Sequence, residues 1–507
     1  MHTATSRSTL LGIVGAGLMG RGIAQIAVQG GIPVVMHDAR PGGAREACKV
    51  IADTLNTLTG KGKITQEACD AAVARLHAAS SLADLASCTV VVEAIVENLE
   101  AKRTLLSELE ACVAPDCILA SNTSSLSVTA LAAGLNHPGR VAGFHFFSPV
   151  PLMKVVEVIA GPLTQPEVAD ALVAMGQQMG HTAVRASDTP GFIVNHAGRG
   201  YLTEALRLLG ESVAEPAVID RILRDAAGFR MGPFELLDLT GLDVSQPVME
   251  SIYAQYYQEP RYRPSVIGRQ RQQAGLLGRK TQRGFYSYDS GKKLEIPEKD
   301  LPTLKNRPPI WIETDELNTF PEVGTLLQAL GIIPETGAAP SPDALCVVLP
   351  LGQDASTLCA EAGLDPMRTV ALDPLFLAGR RTVMTTPVTS QAMRDAARVL
   401  FSADGTPVSV VRDSTGCVVQ RVLASIVNIG CDMAQQGIAT PTDIDKAVTL
   451  GLGYPHGPLA WGDALGAVTV LRILQRLFAL TEDPRYRPSP WLRRRAQLGL
   501  SLLTPDH

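Results

Sequence analysis

Leu11-Gly-Ile-Val-Gly-Ala-Gly-Leu-Met-Gly-Arg-Gly-Ile-Ala24, followed by Pro33-Val-Val-Met-His-Asp38, is the stretch that decides the fold. Leu11 to Val14 read as a short buried strand, and Gly15, Gly17 and Gly20 follow in the spacing G-x-G-x-x-G. Each glycine has a task in a strand-to-helix turn that grips a pyrophosphate. Gly15 turns the chain, Gly17 lets the backbone approach the phosphates, and Gly20 lets the helix lie against the sheet. Leu18 and Met19 lie in the same turn, where the free N–H groups of the helix start attract an anion. Asp38 ends the next apolar run. Its carboxylate is placed to take both ribose hydroxyls and to repel a 2′-phosphate, which favours NAD over NADP.

Apolar runs then alternate with helical stretches to about residue 187: Val34–Met36, Val90–Ala94, Cys117–Ala120, Val141–Phe144, Val155–Ile159 and Thr182–Arg185. This is the rhythm of a doubly wound α/β sheet. Residues 40–80 read as a helical insertion carrying Lys61-Gly-Lys63, either a solvated face or a phosphate contact. Residues 188–290 read as a helical domain and 291–340 as a proline- and charge-rich linker, after which short strands return as a degenerate Rossmann remnant, to 412. The last stretch, 413–507, is helical again.

An internal repeat accounts for that recurrence. Asp188-Thr-Pro-Gly191 recurs 225 residues on as Asp413-Ser-Thr-Gly416, and Gly228-Phe-Arg-Met-Gly-Pro-Phe-Glu-Leu-Leu-Asp238 as Gly453-Tyr-Pro-His-Gly-Pro-Leu-Ala-Trp-Gly-Asp463. Pro260-Arg-Tyr-Arg-Pro-Ser265 returns as Pro484-Arg-Tyr-Arg-Pro-Ser489. The chain therefore carries two copies of one helical domain. No second G-x-G-x-x-G precedes the second copy, so one cofactor site per chain is expected. The second copy packing on the first would make either a monomer with an internal pseudo-dimer or a homo-oligomer.

Bulk properties fit three or so globular domains: 507 residues, 46% hydrophobic and 19% charged. A net charge of −5 without a basic tract argues against a nucleic-acid or anionic-membrane partner. The nine cysteines have no metal-ligand spacing and read as buried thiols of a reducing cytoplasm. No metal site is expected. The N-terminal residues lack the apolar core of a secretory leader.

The strongest chemical constellation is His145-Phe-Phe-Ser-Pro-Val-Pro-Leu-Met-Lys-Val-Val-Glu157. An imidazole whose far nitrogen is held by a buried carboxylate keeps one tautomer and gains basicity, as a general base for alcohol oxidation requires. Asn122-Thr-Ser-Ser125 follows a strand at the sheet's carboxyl edge, where it either caps the next helix or holds a substrate oxygen. Glu97 and Lys102 sit just past another strand, and Asn195 stands where the helical domain begins.

These motifs resemble the L-3-hydroxyacyl-CoA dehydrogenase family over residues 10–290. The matching segments are Gly15-Ala-Gly-Leu-Met-Gly20, Val92-Glu-Ala-Ile-Val-Glu-Asn-Leu99, Ser121-Asn-Thr-Ser-Ser-Leu126, His145-Phe-Phe-x-Pro149, Asp188-Thr-Pro-Gly-Phe-Ile-Val-Asn195 and Gly232-Pro-Phe-Glu-Leu-Leu-Asp238. The resemblance implies NAD-dependent oxidation of a (3S)-3-hydroxyacyl-CoA, of short chain or ending in a second carboxylate. It casts His145 as base, Glu157 as its partner, and Ser124 and Asn195 as groups that bind the reacting end. Glu97, Lys102, Asn122 and Ser124 would line the cofactor cleft, Lys280 would reach the cofactor from the helical domain, and Thr54, Lys61 and Ser124 would contact the CoA substrate. Ser148 stands where the family usually has Asn, which implies altered tuning of His145 or of substrate choice. A dehydrogenase of a free hydroxy acid and a non-catalytic NAD-binding scaffold are the competing readings.

Overall fold

Leu11–Val14 form β1, and the unbroken apolar run is what a strand covered on both faces requires. Around it lie β2 (Val34–His37), β3 (Leu76–Ala78), β4 (Val90–Glu93), β5 (Ile118–Ser121), β6 (Val141–Phe146), β7 (Val155–Ala160) and β8 (Thr182–Ser187). They make one sheet in the order β3-β2-β1-β4-β5-β6-β7-β8, parallel except between β6 and β7. Strand order reverses between β1 and β4, the crevice where open α/β sheets bind ligands. The computed structural model describes residues 9–335 and 337–506, so residues 1–8 of the stretch read for a leader lie outside it. No single helix among the described residues is long and apolar enough to cross a membrane.

The expected strands are present, with ends shifted by one or two residues. The insertion at 40–80 holds helices Gly43–Gly60 and Gln66–Ala74, but also the edge strand β3, whose Leu-His-Ala sequence has no apolar run to announce it. The main apolar core of this sheet gathers Ile13, Ile23, Val34, Met36, Val92, Phe144 and Val156.

The chain divides into two compact units: residues up to His196 with Gln436–Leu452, and Ala197–Gln435 with Gly453 onward. The duplicated helices follow the repeat, with Pro441–Leu452 of the second copy falling in the first unit. Pro216–Ala227, Pro233–Thr240 and Leu242–Gln255 have counterparts in Pro441–Leu452, Pro458–Leu465 and Ala467–Thr481. Helix Arg199–Gly210 packs on its counterpart Val418–Gln435, and a Cβ on Gly200 would come within 3.0 Å of the Ile426 backbone.

Each α/β module uses a helix of the opposite copy. In the first unit Ser187 N donates to Ile438 O at 2.8 Å, and a Cβ on Gly451 would meet Val194 at 2.8 Å. In the second unit Arg380 Nε pairs with Asp225 Oδ2 at 2.8 Å, and Gly379 abuts the Asp225 carbonyl. The second module is a sheet of five strands, Ile310–Trp311, Leu345–Val348, Thr369–Leu372, Arg381–Thr385 and Val408–Arg412, adjacent in chain order. Its successive pairings are parallel, parallel, antiparallel and parallel, the same series as β4 through β8. The remnant is therefore the carboxyl half of the dinucleotide fold, without counterparts of β1–β3. Its first strand, with helices Thr314–Thr319 and Pro321–Ala329, falls inside the stretch expected to be a linker. Pro321 starts a helix there, where a missing N–H costs nothing.

Candidate active site

Sterics fix the glycine turn. Gly15 has φ +105°, and a Cβ there would sit 2.6 Å from the Ala94 carbonyl oxygen. A Cβ on Gly20 would lie 1.8 Å from the Gly15 carbonyl oxygen. The third glycine thus clears the turn's own backbone and faces Ile13 of β1, 3.4 Å from such a Cβ, while Gly22 packs closely on Val150. Nothing lies within 4 Å of a Cβ on Gly17. That open face precedes helix Leu18–Gln29, whose first turn has neither a side-chain cap nor an acidic residue. Leu18 is 65% exposed and Met19 packs half-buried on the core. The cradle is shaped and charged for a phosphate.

Asp38 follows β2 and ties the turn in place, accepting Ala16 N at 2.7 Å and Arg40 N at 3.0 Å on its two oxygens. A carboxylate has about four acceptor sites, so two remain for ribose hydroxyls. The Arg40 guanidinium is answered by Glu46 at 2.9 Å.

At the ends of β4 and β5 a polar cluster replaces the apolar runs. The Oε1 atom of Glu97 accepts the Thr123 hydroxyl (2.7 Å), the N–H groups of Ser124 (2.9 Å) and Ser125 (3.1 Å), and both serine hydroxyls. Burial opposes its charge, yet the Thr123 hydroxyl, the Lys102 ammonium and the Ser124 N–H hold its carboxyl below the usual range. Lys102, expected to line the cleft, is instead 1% exposed. Its Nζ lies 2.9 and 2.8 Å from the two Glu93 oxygens and 3.4 Å from Glu97 Oε2. Asn122 is half-buried, its Oδ1 accepting Phe146 N at 2.8 Å. That bond fixes the backbone beside His145.

His145 and Glu157 face each other across the one antiparallel pairing of the first sheet. His145 Nδ1 stands 2.6 Å from Glu157 Oε2, and both side chains are buried. The other Glu157 oxygen accepts Ile193 N (3.0 Å) and Val194 N (2.9 Å), which pins the carboxylate. Rings of Phe147 and Phe192 flank the imidazole at 4.3 and 5.8 Å. The next residue, Asn195, donates from Nδ2 to Ser124 O at 3.4 Å, joining the histidine side of the site to the Glu97 cluster. Ser148 is exposed, and among the described residues no hydrogen bond joins it to His145.

Three expected residues belong to other elements. Thr54 is on helix Gly43–Gly60, its hydroxyl donated to Val50 O, and Lys61 is the exposed C-cap of that helix. Lys280 lies in the second compact unit, paired with Asp243 at 2.7 Å. Sequence reasoning missed Glu93, whose side chain is fully buried at the end of β4. The available signal was an acid closing an apolar run, nine residues before a lysine on the following helix. It also left Asp188 without a role. That carboxylate accepts Val128 N, Thr129 N and the Ser127 and Thr129 hydroxyls, so it caps a helix.

The duplicate of this site has been rebuilt. Asp413 repeats the capping role of Asp188, accepting Ala355 N and Ser356 N. Asp373 takes the place of His145, opposite Thr382 where the first copy has Glu157. Gln420, in the place of Asn195, donates to Asp373 Oδ1 (2.9 Å) and Pro350 O (3.0 Å) and accepts Gly352 N (2.9 Å). Asp373 Oδ1 is thus engaged by Gln420, while its buried Oδ2 has no hydrogen-bond partner among the described residues.

A dinucleotide-shaped turn and an acid-braced imidazole on one sheet define a dehydrogenase of the Rossmann class. The chain belongs to the 3-hydroxyacyl-CoA dehydrogenase family: the model of its NAD binding domain matches residues 10–189, and that of its C-terminal domain matches 191–288 and again 416–502. It is 35% identical over 487 residues to 3-hydroxyadipyl-CoA dehydrogenase of Escherichia coli (strain K12), covering 96% of this chain and 97% of that protein. It is 39% identical to 3-hydroxybutyryl-CoA dehydrogenase of Bradyrhizobium diazoefficiens over 56% of this chain and 96% of that one. The crystal structure of 3-hydroxybutyryl-CoA dehydrogenase from Escherichia coli K12 superposes with a TM-score of 0.86 at 34% identity, covering 97% of this chain and 99% of that chain.

Proposed function

We propose that the chain oxidises a (3S)-3-hydroxyacyl-CoA of short chain, or one ending in a second carboxylate such as 3-hydroxyadipyl-CoA, to the 3-oxoacyl-CoA in the cytoplasm. NAD, when bound, supplies the hydride acceptor. The observation that carries the reading is the buried 2.6 Å contact between His145 and Glu157 on the sheet that bears the glycine turn. Glu157, held by two backbone N–H groups, accepts the proton of His145 Nδ1, leaving Nε2 as the acceptor. His145 Nε2 takes the hydroxyl proton, and Glu157 stabilises the imidazolium that results. Such assistance is worth roughly 10²–10⁴-fold. Ser124 and Asn195, linked to each other, orient the reacting oxygen. Gly15, Gly17 and Gly20 hold the pyrophosphate, and Asp38 takes the ribose hydroxyls; its carboxylate disfavours a 2′-phosphate, which supports NAD over NADP. Thr54 and Lys61 serve the CoA moiety.

The divided helical copies and the remnant sheet support an internal pseudo-dimer with one active site per chain. Ranking 3-hydroxyacyl-CoA substrates from C4 to C16, with 3-hydroxyadipyl-CoA, by kcat/KM tests the substrate class. The short and dicarboxylic substrates are expected first; preference for C12 to C16, or no turnover of any acyl-CoA, would overturn it.

A further inference from the structure

Glu93 touches neither end of the reaction described above, yet its side chain is fully buried at the site. Every group around its carboxylate donates to it: Lys102 Nζ to both oxygens, the Ser121 hydroxyl to Oε1, and Ile95 N to Oε2 at 3.1 Å. The lysine it holds also reaches Glu97, whose side chain is 37% exposed at the carboxyl edge of the sheet. Two carboxylates and one ammonium leave a single net negative charge. Glu93 cancels Lys102 from the buried side, and the remaining charge falls on Glu97, which gathers residues 123–125 around one oxygen. With Glu93 neutral, the buried ammonium would draw on Glu97 alone and the cluster would carry no net charge.

We propose that Glu93 is a positioning residue that neutralises Lys102, so that Glu97 presents a net negative charge favouring the oxidised, cationic nicotinamide over the reduced, neutral one. The physical basis is that a fixed charge in a partly dehydrated crevice discriminates between a cation and a neutral ring of the same shape. It requires no contact between Glu93 and the ring. The inference rests on the dehydrogenase reading, and its test is an equilibrium measurement that separates the two.

Dissociation constants of NADH, by its fluorescence, and of NAD, by competition with NADH, are compared in the wild-type protein, Glu93→Gln and Glu93→Gln/Lys102→Met. The single change removes the net charge and should raise the NAD constant relative to that of NADH by about tenfold, while the double change restores one negative charge and should return the ratio to within about twofold of wild type. A role in stability alone would lower the melting temperature of Glu93→Gln and leave the ratio fixed, and that result overturns the proposal. So does a ratio that the second substitution fails to restore. Should Glu93→Gln not fold, Glu97→Gln makes the same change of charge at a part-exposed position; an unmoved ratio there overturns the proposal equally. A wild-type protein that binds neither nucleotide would instead remove the dehydrogenase reading itself.

Discussion

His145 and Glu157 are direct cross-strand partners in the antiparallel pairing of β6 with β7, and their side chains meet at 2.6 Å in the core. Register alone therefore sets the base against its acid, and the two N–H groups of Ile193 and Val194 keep the acid from turning away. Glu157→Gln preserves size and an acceptor for those N–H groups, but its amide can donate to Nδ1 and select the wrong tautomer. Steady-state kinetics should show kcat lowered about 10²–10⁴-fold with a smaller change in KM. An activity near wild type would show that the pair is structural.

Gly17 and Gly20 of the turn should separate by phenotype. Gly20→Ala drives a methyl group into the Gly15 carbonyl oxygen and should lower both the melting temperature and NAD affinity. Gly17→Ala meets no protein atom, so its melting temperature should match wild type while NAD binding weakens about tenfold or more, because the methyl occupies the phosphate's approach. Calorimetric titration with NAD alongside thermal melts reads both. Unchanged affinity in Gly17→Ala would place the pyrophosphate elsewhere.

The rebuilt second site carries a pH signature. Burial pushes the Asp373 carboxyl up to about 6, partly offset by the Gln420 amide and the Leu375 N–H. The folded state holds this proton more tightly than the unfolded one. Its contribution is therefore complete below the ordinary carboxylate range and is lost as pH rises through about 6. Asp373→Asn, which keeps the acceptor for Gln420, should be more stable than wild type by about 2 kcal/mol at pH 8 and equal to it near pH 4. Denaturant titration at both pH values would expose a wrong sign.

Arg421 ties the helical copies together from a position with 1% exposure. Its guanidinium reaches Glu204 Oε1 at 2.7 Å, Glu211 Oε2 at 2.6 Å and the Tyr486 hydroxyl at 3.0 Å. Its removal leaves the buried Glu204 with only the Tyr486 hydroxyl at 2.6 Å and Arg485 at 3.6 Å, so Arg421→Met should cost about 3 kcal/mol, much of it regained in Arg421→Met/Glu204→Leu. A loss below about 1 kcal/mol in the single variant would mean that the pair is solvated.

Much of this was readable before the structure, for identifiable reasons. The glycine turn, the strand ends and the His145–Glu157 pair were accessible because periodicity and motif spacing encode them locally. Lys102 belongs to the right cluster but with other surroundings than its spacing suggests: a residue's position past a strand does not say whether its side chain turns outward or into a buried carboxylate. Glu93 was overlooked because an acid at the end of Val90-Val-Val looks like the exit of a strand, and only the partner nine residues on makes its burial tolerable. The remnant sheet was visible only as scattered short runs. Its identity as the carboxyl half of the fold lies in pairing directions, which no single strand of two to five residues records.

Single-turnover formation of NADH from (3S)-3-hydroxybutyryl-CoA, followed by stopped flow in wild type and His145→Gln at matched NAD occupancy, bears most directly on the braced imidazole as the base. The predicted result is rapid NADH formation in the wild type and a rate lowered about 10²–10⁴-fold in His145→Gln with NAD affinity retained. Equal rates in the two proteins, or NAD binding with no turnover in the wild type, would contradict it.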